Sequence, residues 1–274
     1  MAMRRFLPLL LTAALLGCQP AQKKCTDYVD PTIGSISVLL VPGIPTVQLP
    51  NQVIRWNPLR TDQSDDQISN FPLTLTSHRQ DHVFGFLPIV AENTDGIWHC
   101  EQTWDNEENR PYEYNVELDG CTLQFAPEKK SGIIRICFDS EAEGKHYLRW
   151  KTLNPEGNYT VVDNHTIQGM ARFKGVTAYC YVVSDAELQD PQFGSNEDKR
   201  DLLLTTPADV QTVNIRYAIS YISPEQAKQN LENEIPNWNL EAVSERGSKI
   251  WEETLGKIRV DGGTEAHKRV FYTA

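Results

Sequence analysis

Three aspartates stand close together at Asp62, Asp65 and Asp66. A carboxylate accepts hydrogen bonds through two oxygens, so such a cluster can hold the paired hydroxyls of a polyol or sugar. The same residues equally suit a solvated turn. Trp56, Trp98 and Trp104 lie to either side, the last followed by the polar pair Asp105-Asn106. Their rings can stack on the apolar face of a ligand or pack in a core. Asp65, Asp66 and Trp56 are the candidate binding residues, and no residue is assigned a catalytic or metal-binding role. His78, His82 and His99 are scattered, and the helical spacing of the first two falls in a segment that does not read as helix. No Cys-x-x-Cys or Cys/His spacing suggests zinc. Phosphate loops, Gly-rich dinucleotide turns and Gly-x-Ser-x-Gly are absent, so nucleotide and serine-nucleophile chemistry have no support.

A different chemistry is written at the N-terminus. Arg4 and Arg5 precede an apolar run from Phe6 to Leu16, followed by Gly17 and Cys18. This is the pattern of an export signal, and the run is too short for the ~20 residues that span a bilayer. Leu15-Leu16-Gly17-Cys18 resembles the bacterial lipobox, in which the Cys is acylated and the chain is cut before it. Residues 1–17 are then a lipoprotein signal peptide, Cys18 the lipidation site, and the protein an exported, membrane-anchored lipoprotein of the periplasm or cell surface. The alternative is an ordinary secretory signal cut near Thr12-Ala13-Ala14. Cys137 and Cys180, within apolar runs, read as small buried hydrophobes. Cys100 and Cys121 could pair, and Cys25 is expected as a free thiol in a tether over residues 18–26.

Short strands between turns must position these residues. Ser37–Val41 and Thr46–Leu49 are apolar, interrupted by Pro42-Gly43. Gly132–Asp139, Tyr147–Thr152, Tyr159–Asp163, Thr166–Lys174, Thr177–Ser184 and Thr212–Ser223 follow, with Lys174-Gly175 as a hairpin turn. Strands at this spacing predict a β-sandwich over residues 27–223. At Ser223-Pro224-Glu225-Gln226 the period changes, with Ser at the N-cap, Pro at N1 and Gln at N3 of a helix ending near Ile235. A second helix from Asn239 carries Leu240, Val243, Ile250, Trp251 and Leu255 at helical spacing. Lys257–Val260 reads as a short strand, Asp261-Gly262-Gly263 as a turn, and Thr264 as the cap of a third helix.

The 274 residues carry 26 basic and 37 acidic side chains, a formal charge of -11. This balance argues against nucleic acid as the main partner, because phosphate binding needs a basic patch. Charged residues at 23% and hydrophobic ones at 40% exclude a disordered or polytopic chain.

Tyr28-Val29-Asp30-Pro31-Thr32-Ile33-Gly34, then Pro42-Gly43 and Val47-Gln48-Leu49, form one informative block. A second block contains Ile219-Ser220-Tyr221-Ile222-Ser223, Ala227, Asn230-Leu231, Glu234-Ile235-Pro236 and Trp238. A third runs from Trp251 through Leu255-Gly256-Lys257-Ile258 and Gly262-Gly263-Thr264 to Phe271-Tyr272-Thr273-Ala274. Together they resemble glycoside hydrolase family 92, exported bacterial α-mannosidases of glycan-degrading systems. The resemblance covers residues 27–274. It implies a mainly β fold: an N-terminal supersandwich of galactose-mutarotase type, a helical linker (224–263) and, from 264 to 274, the first helix of an (α/α)6 barrel whose remainder the chain lacks. It implies calcium-dependent, inverting hydrolysis of α-mannosides in the full-length family, with no calcium expected on this chain. It also implies an α-mannoside glycan and the missing catalytic barrel as partners, beside the lipid anchor. Ser64–Phe71 matches a site loop of the family, except that Pro72-Leu73 stand where the family has Ser-His. The expected role is the carbohydrate-binding N-terminal domain of a mannosidase-like lipoprotein, inactive alone. The alternatives are a non-catalytic surface glycan-binding lipoprotein and a fragment with no independent role.

Overall fold

The computed structural model describes residues 23–39, 43–76, 82–194 and 199–274. A 3-10 turn at Cys25–Tyr28 comes first. The strands are β1 Val47–Gln48, β2 Arg55–Trp56, β3 Gln67–Ile68, β4 Phe71–Pro72, β5 Phe84–Ala91, β6 Gln102–Arg110, β7 Glu113–Leu118 and β8 Cys121–Pro127. They continue as β9 Ser131–Phe138, β10 Lys145–Thr152, β11 Glu156–Asp163, β12 Thr166–Phe173, β13 Val176–Ser184, β14 Gln189–Phe193, β15 Asp201–Thr205 and β16 Thr212–Ser220. Helices α1 Pro224–Glu234, α2 Leu240–Leu255 and α3 Glu265–Thr273 complete the chain.

The strands form a nine-stranded sheet ordered β11-β12-β13-β16-β9-β8-β7-β6-β3 and a five-stranded sheet ordered β14-β15-β10-β5-β4. All pairings are antiparallel, and β1-β2 forms a small ribbon. Alternation along the strands builds the layer between the sheets. Tyr114, Val116 and Leu118 of β7 and Val213, Ile215 and Tyr217 of β16 point inward, meeting Phe86, Leu148 and Trp150 of the five-stranded sheet. Gly132 is required there, because a Cβ would sit 2.6 Å from the Phe125 ring and 2.8 Å from Tyr217. This is the mainly β sandwich expected.

The outer face of the larger sheet is covered by α1 and the first half of α2. Ala126, Ile133 and Ala218 meet Leu231, Ile235, Leu240 and Val243 in a second core. Each large apolar side chain in it contributes roughly 1.5–3 kcal/mol. Ser223 caps α1 by accepting from the Gln226 N–H at 3.1 Å, with Pro224 at N1. Thr264 caps α3 in the same way through His267.

Several local readings are corrected. Residues 37–39 form no strand: Val38 and Leu39 are 94% and 90% exposed at bends, with no partner strand among the described residues, and residues 40–42 lie outside that set. Residues 257–260 turn instead of pairing, and no strand lies alongside them among the described residues. The strand ending the sandwich stops at Ser220, whose hydroxyl accepts from the Ile222 N–H. The α2 stripe is only half buried: Leu240 and Val243 are covered, Ile250, Trp251 and Leu255 partly exposed. The tether ends sooner than expected, since Cys25 and Thr26 are buried against α2 and α3. Cys25, Cys100, Cys121, Cys137 and Cys180 are all free thiols, and Cys137 is only half buried. No described helix is long and apolar enough to cross a membrane.

Candidate functional site

Two loops meet beside the edge of the nine-stranded sheet. The first contains Ser35 and Gly43, joined where the Gly43 N–H donates to the Gly34 carbonyl at 2.7 Å. A Cβ on Gly43 would lie 3.2 Å from that oxygen, so the approach favours glycine. The second loop, residues 57–66, hydrogen-bonds to the first through the Gln63 N–H and the Ser35 carbonyl at 3.0 Å. Between them is a recess lined by Ser35, Gly43, Asn57, Arg60, Asp62 and Gln63, with Ile44, Pro45 and Thr61 at its sides. Its volume is about 20 Å³. That is room for one water or one hydroxyl, not for a ring.

A buried ion pair forms the floor. Arg60 Nη2 contacts the two Glu107 oxygens at 2.7 and 2.9 Å, and the side chains are only 3% and 5% exposed. Gln63 bonds to both partners, and the Tyr114 hydroxyl donates to Glu107 at 2.7 Å. Burial, together with the Glu107 charge, pushes the Tyr114 phenol well above its ordinary range. The guanidinium lies 4.3 Å from the Trp104 ring centroid, a cation–π contact. Asn106, with φ of 47°, sits in a bulge of β6 between Asp105 and Glu108. Such a bulge re-aims side chains. Here Glu107 turns inward while Glu108 stays 64% exposed. Both residues belong to strand β6, and only Glu108 faces solvent.

The aspartate cluster is largely occupied with its own turn. Asp65 accepts from the Thr61 and Gln67 N–H groups at 2.9 and 3.1 Å, and the Thr61 bond first of all lowers its pKa. Asp62 accepts from the Ser64 hydroxyl at 2.6 Å, the main cause of its own lowered pKa. Trp104 Nε1 donates to the Asp65 carbonyl at 2.8 Å and braces the turn. Asp66 is exposed beside it. Trp56 is elsewhere: it is fully buried, stacked on Phe71 and Phe125 at centroid distances of 5.3 and 4.1 Å. It offers no face to a sugar, which corrects that candidate. Trp98 packs against the main core, His82 bridges to Leu75, and His99 is exposed. His78 and Cys18 lie outside the described residues. Pro72 and Leu73, which stand where the family resemblance places Ser-His, are buried.

The cluster thus joins Asp62 and Asp65 to Arg60, Glu107 and Asn57, which sequence reading had not singled out. Only the pairing of two residues 47 positions apart identifies the last charge pair. Among the described residues, no group of three or more His, Cys, Asp or Glu could hold a metal ion.

Comparison with known proteins follows the same outline. A family model described as the glycosyl hydrolase family 92 N-terminal domain matches residues 28–228, and one for that family's catalytic domain matches residues 226–274. The structure of an inverting mannosidase of this family from Bacteroides thetaiotaomicron superposes with a TM-score of 0.81 at 20% identity. The match covers 91% of this chain and 38% of that one. A second family α-mannosidase from the same organism gives 0.77 at 20% identity, over 93% of this chain and 41% of its own. At such identity these structures speak for the fold. An uncharacterized secreted glycosidase of Arthroderma benhamiae is 36% identical over 66 residues, 23% of this chain and 9% of the fungal protein.

Proposed function

The chain belongs to glycosyl hydrolase family 92, and on that premise we propose that it is the glycan-facing N-terminal module of an exported α-mannoside-processing glycosidase. The observation that carries this reading is the succession of the two family models, whose matches overlap at residues 226–228, inside α1. The chain spans about two fifths of the length of the solved mannosidases it matches. One mannosidase of the family was solved with mannoimidazole, which supports an α-mannoside as the ligand class.

Inverting hydrolysis needs an acid to protonate the leaving oxygen and a base to activate water on the opposite face. The recess provides neither: its Glu107 is committed to Arg60, and its Asp62 and Asp65 are committed to turn hydrogen bonds. In this reading the acid and base come from a catalytic barrel, and these 274 residues contribute one wall. Calcium, which the family resemblance implies for the whole enzyme, is assigned in this reading to the barrel; among the described residues no three His, Cys, Asp or Glu side chains stand together. Export and acylation at Cys18 belong to the same proposal and rest on Leu15-Leu16-Gly17-Cys18.

The purified chain should bind α-mannosides weakly and release no mannose, with or without calcium. Mannose release that disappears when Asp65 and Asp66 are both changed to Ala would overturn this. Glycan binding that a supplied family barrel neither strengthens nor converts to turnover would favour the non-catalytic binding lipoprotein. For the anchor, metabolic labelling with a fatty acid should mark the protein and fail to mark Cys18→Ala; equal labelling of both would refute it.

A further inference from the structure

A larger cavity lies where the 3-10 turn meets α3. Its volume is about 130 Å³, and Lys23, Tyr28, Arg259, Asp261, Lys268 and Tyr272 line it. Three of these six side chains are cations, in a chain whose formal charge is -11. The Lys23 and Lys268 ammoniums lie 5.5 and 5.7 Å from the same Tyr28 ring centroid. The Tyr272 hydroxyl donates to the Ile258 carbonyl at 3.3 Å and accepts from the Val260 N–H at 3.2 Å. The loop that carries Arg259 is thereby tied to the helix that carries Lys268. Glu265 neutralises Lys23 at 2.6 Å, and Asp30 pairs with Arg269 at 3.6 Å. Among the described residues, neither Arg259 nor Lys268 has a carboxylate within ion-pair distance. With Lys23 compensated, Arg259 and Lys268 outweigh Asp261 by one charge, the complement of a monoanion.

We propose that this cavity takes the phosphate of an anionic lipid headgroup, with Arg259 and Lys268 as its donors and Lys23 beside them. Acylation at Cys18, on which this assignment depends, places the site close to a membrane. Lys23 is five residues beyond Cys18, and an extended chain covers at most ~3.6 Å per residue. Lys23 therefore stays within roughly 18 Å of the acylated residue, in reach of the headgroups around it. A guanidinium meets a phosphate through parallel N–H bonds, and an ammonium adds a point charge. A neutral sugar would leave both cations uncompensated, and a metal ion would face three positive side chains. A long nucleic acid would meet the negative charge of the rest of the chain. A headgroup phosphate would bridge Arg259 to Lys268 and so brace α3 against its neighbouring loop.

The test uses the full chain with phosphatidylcholine vesicles, prepared with and without phosphatidylglycerol, and follows co-sedimentation and amide exchange in α3. The parent should prefer the anionic vesicles. Arg259→Gln and Lys268→Gln should each reduce that preference about fivefold, the worth of one basic residue at a charged membrane surface, and the double variant should abolish it. Arg259 is exposed and Lys268 half-buried, so neither change opens a core. Lys257→Gln removes an exposed cation outside the cavity lining and should keep the preference. Equal losses from Lys257→Gln and Lys268→Gln would reduce the contact to diffuse attraction and overturn the site. Short-chain phosphatidylglycerol should slow exchange in α3 more than inorganic phosphate does at the same concentration and ionic strength. Equal protection by inorganic phosphate would make this a free-ion site and overturn the lipid assignment. Binding to dextran sulfate without a preference between the vesicles would place an acidic glycan there and overturn it as well. Fatty-acid labelling of Cys18 reads the anchor separately. A labelled chain that does not distinguish the vesicles keeps the anchor and loses this inference; an unlabelled chain removes the premise, and the inference with it.

Discussion

The two ends of the helical segment are held in opposite ways. Helix α1 and the first half of α2 lie on the nine-stranded sheet, with Leu231, Ile235, Leu240 and Val243 almost fully buried. Polar bonds fix their register. Glu234 accepts from the Lys130 N–H and the Ser131 hydroxyl, Arg216 lies 3.9 Å from the Trp238 ring centroid, and Ser244 donates to Glu113. Helix α3 contacts no sheet in this way. It rests on the 3-10 turn through the Tyr28–Tyr272 stack at 5.7 Å and the Asp30 N–H to Thr273 bond. Val270 and Phe271 are 64% and 44% exposed. Burial of an apolar face decides helix stability here, since both ends have good N-caps.

Leu231→Ala should break the contrast most severely. It removes a 2% exposed side chain from the second core, and should cost ~2–5 kcal/mol in chemical denaturation. Loss below ~1 kcal/mol would mean that α1 is not cooperative with the sandwich. Tyr272→Ala should act locally: amide exchange in α3 rises while amides of β16 remain protected. An equal rise in β16 would show that α3 belongs to the cooperative core. Acid and salt sharpen the comparison further. The Lys23 ammonium, 2.6 Å from Glu265, lowers that carboxyl's pKa below its ordinary 4.5. A depressed carboxyl stabilises above the unfolded value and loses that contribution as pH falls through the folded one. Exchange in α3 should therefore rise below about pH 4.5 and in high salt, before α1 responds. Salt-independent exchange in α3 would remove this exposed pair from the account. The smallest effect should be Val270→Ser, within ~0.5 kcal/mol of the parent.

Elements set by adjacent residues were legible in the sequence. Ser223-Pro224-Glu225-Gln226 starts α1 where expected, and Lys174-Gly175, with φ of 47° and 81°, turns β12 into β13. The β-sandwich followed from strand spacing, and its family from the blocks at both ends. The site was legible only in part. Strand β6, Gln-Thr-Trp-Asp-Asn-Glu-Glu-Asn-Arg, reads as polar loop because its stability comes from β7 and its bulge, not from apolar alternation. Glu107 is inside because Arg60 and Tyr114 are there to receive it. Trp56 is inside because Phe71 and Phe125 sandwich it. Val38 and Leu39 carry the apolarity of a strand, yet no strand pairs with them among the described residues. In each case the deciding partner is distant in sequence, and a local pattern carries no record of it.

The clasp between the 3-10 turn and α3 has a mechanical consequence. Lys23 and Glu265 are 242 positions apart, yet they touch, and Tyr28 and Asp30 continue the same contact along α3. The amino-terminal strand of chain and the last helix are thus coupled in series, ahead of the sheets. A pull applied at residue 23 would be borne first by the exposed Lys23–Glu265 pair, then by the buried Cys25 and Thr26, the Thr26 N–H to Glu252 bond and the Tyr28–Tyr272 stack, before it reached the hydrogen-bonded ladders. Tension from that side would peel the turn away, strip Tyr272 of its ring partner and release α3, leaving the sandwich unloaded. The clasp would then act as a mechanical fuse, with α3 registering strain that enters at residue 23.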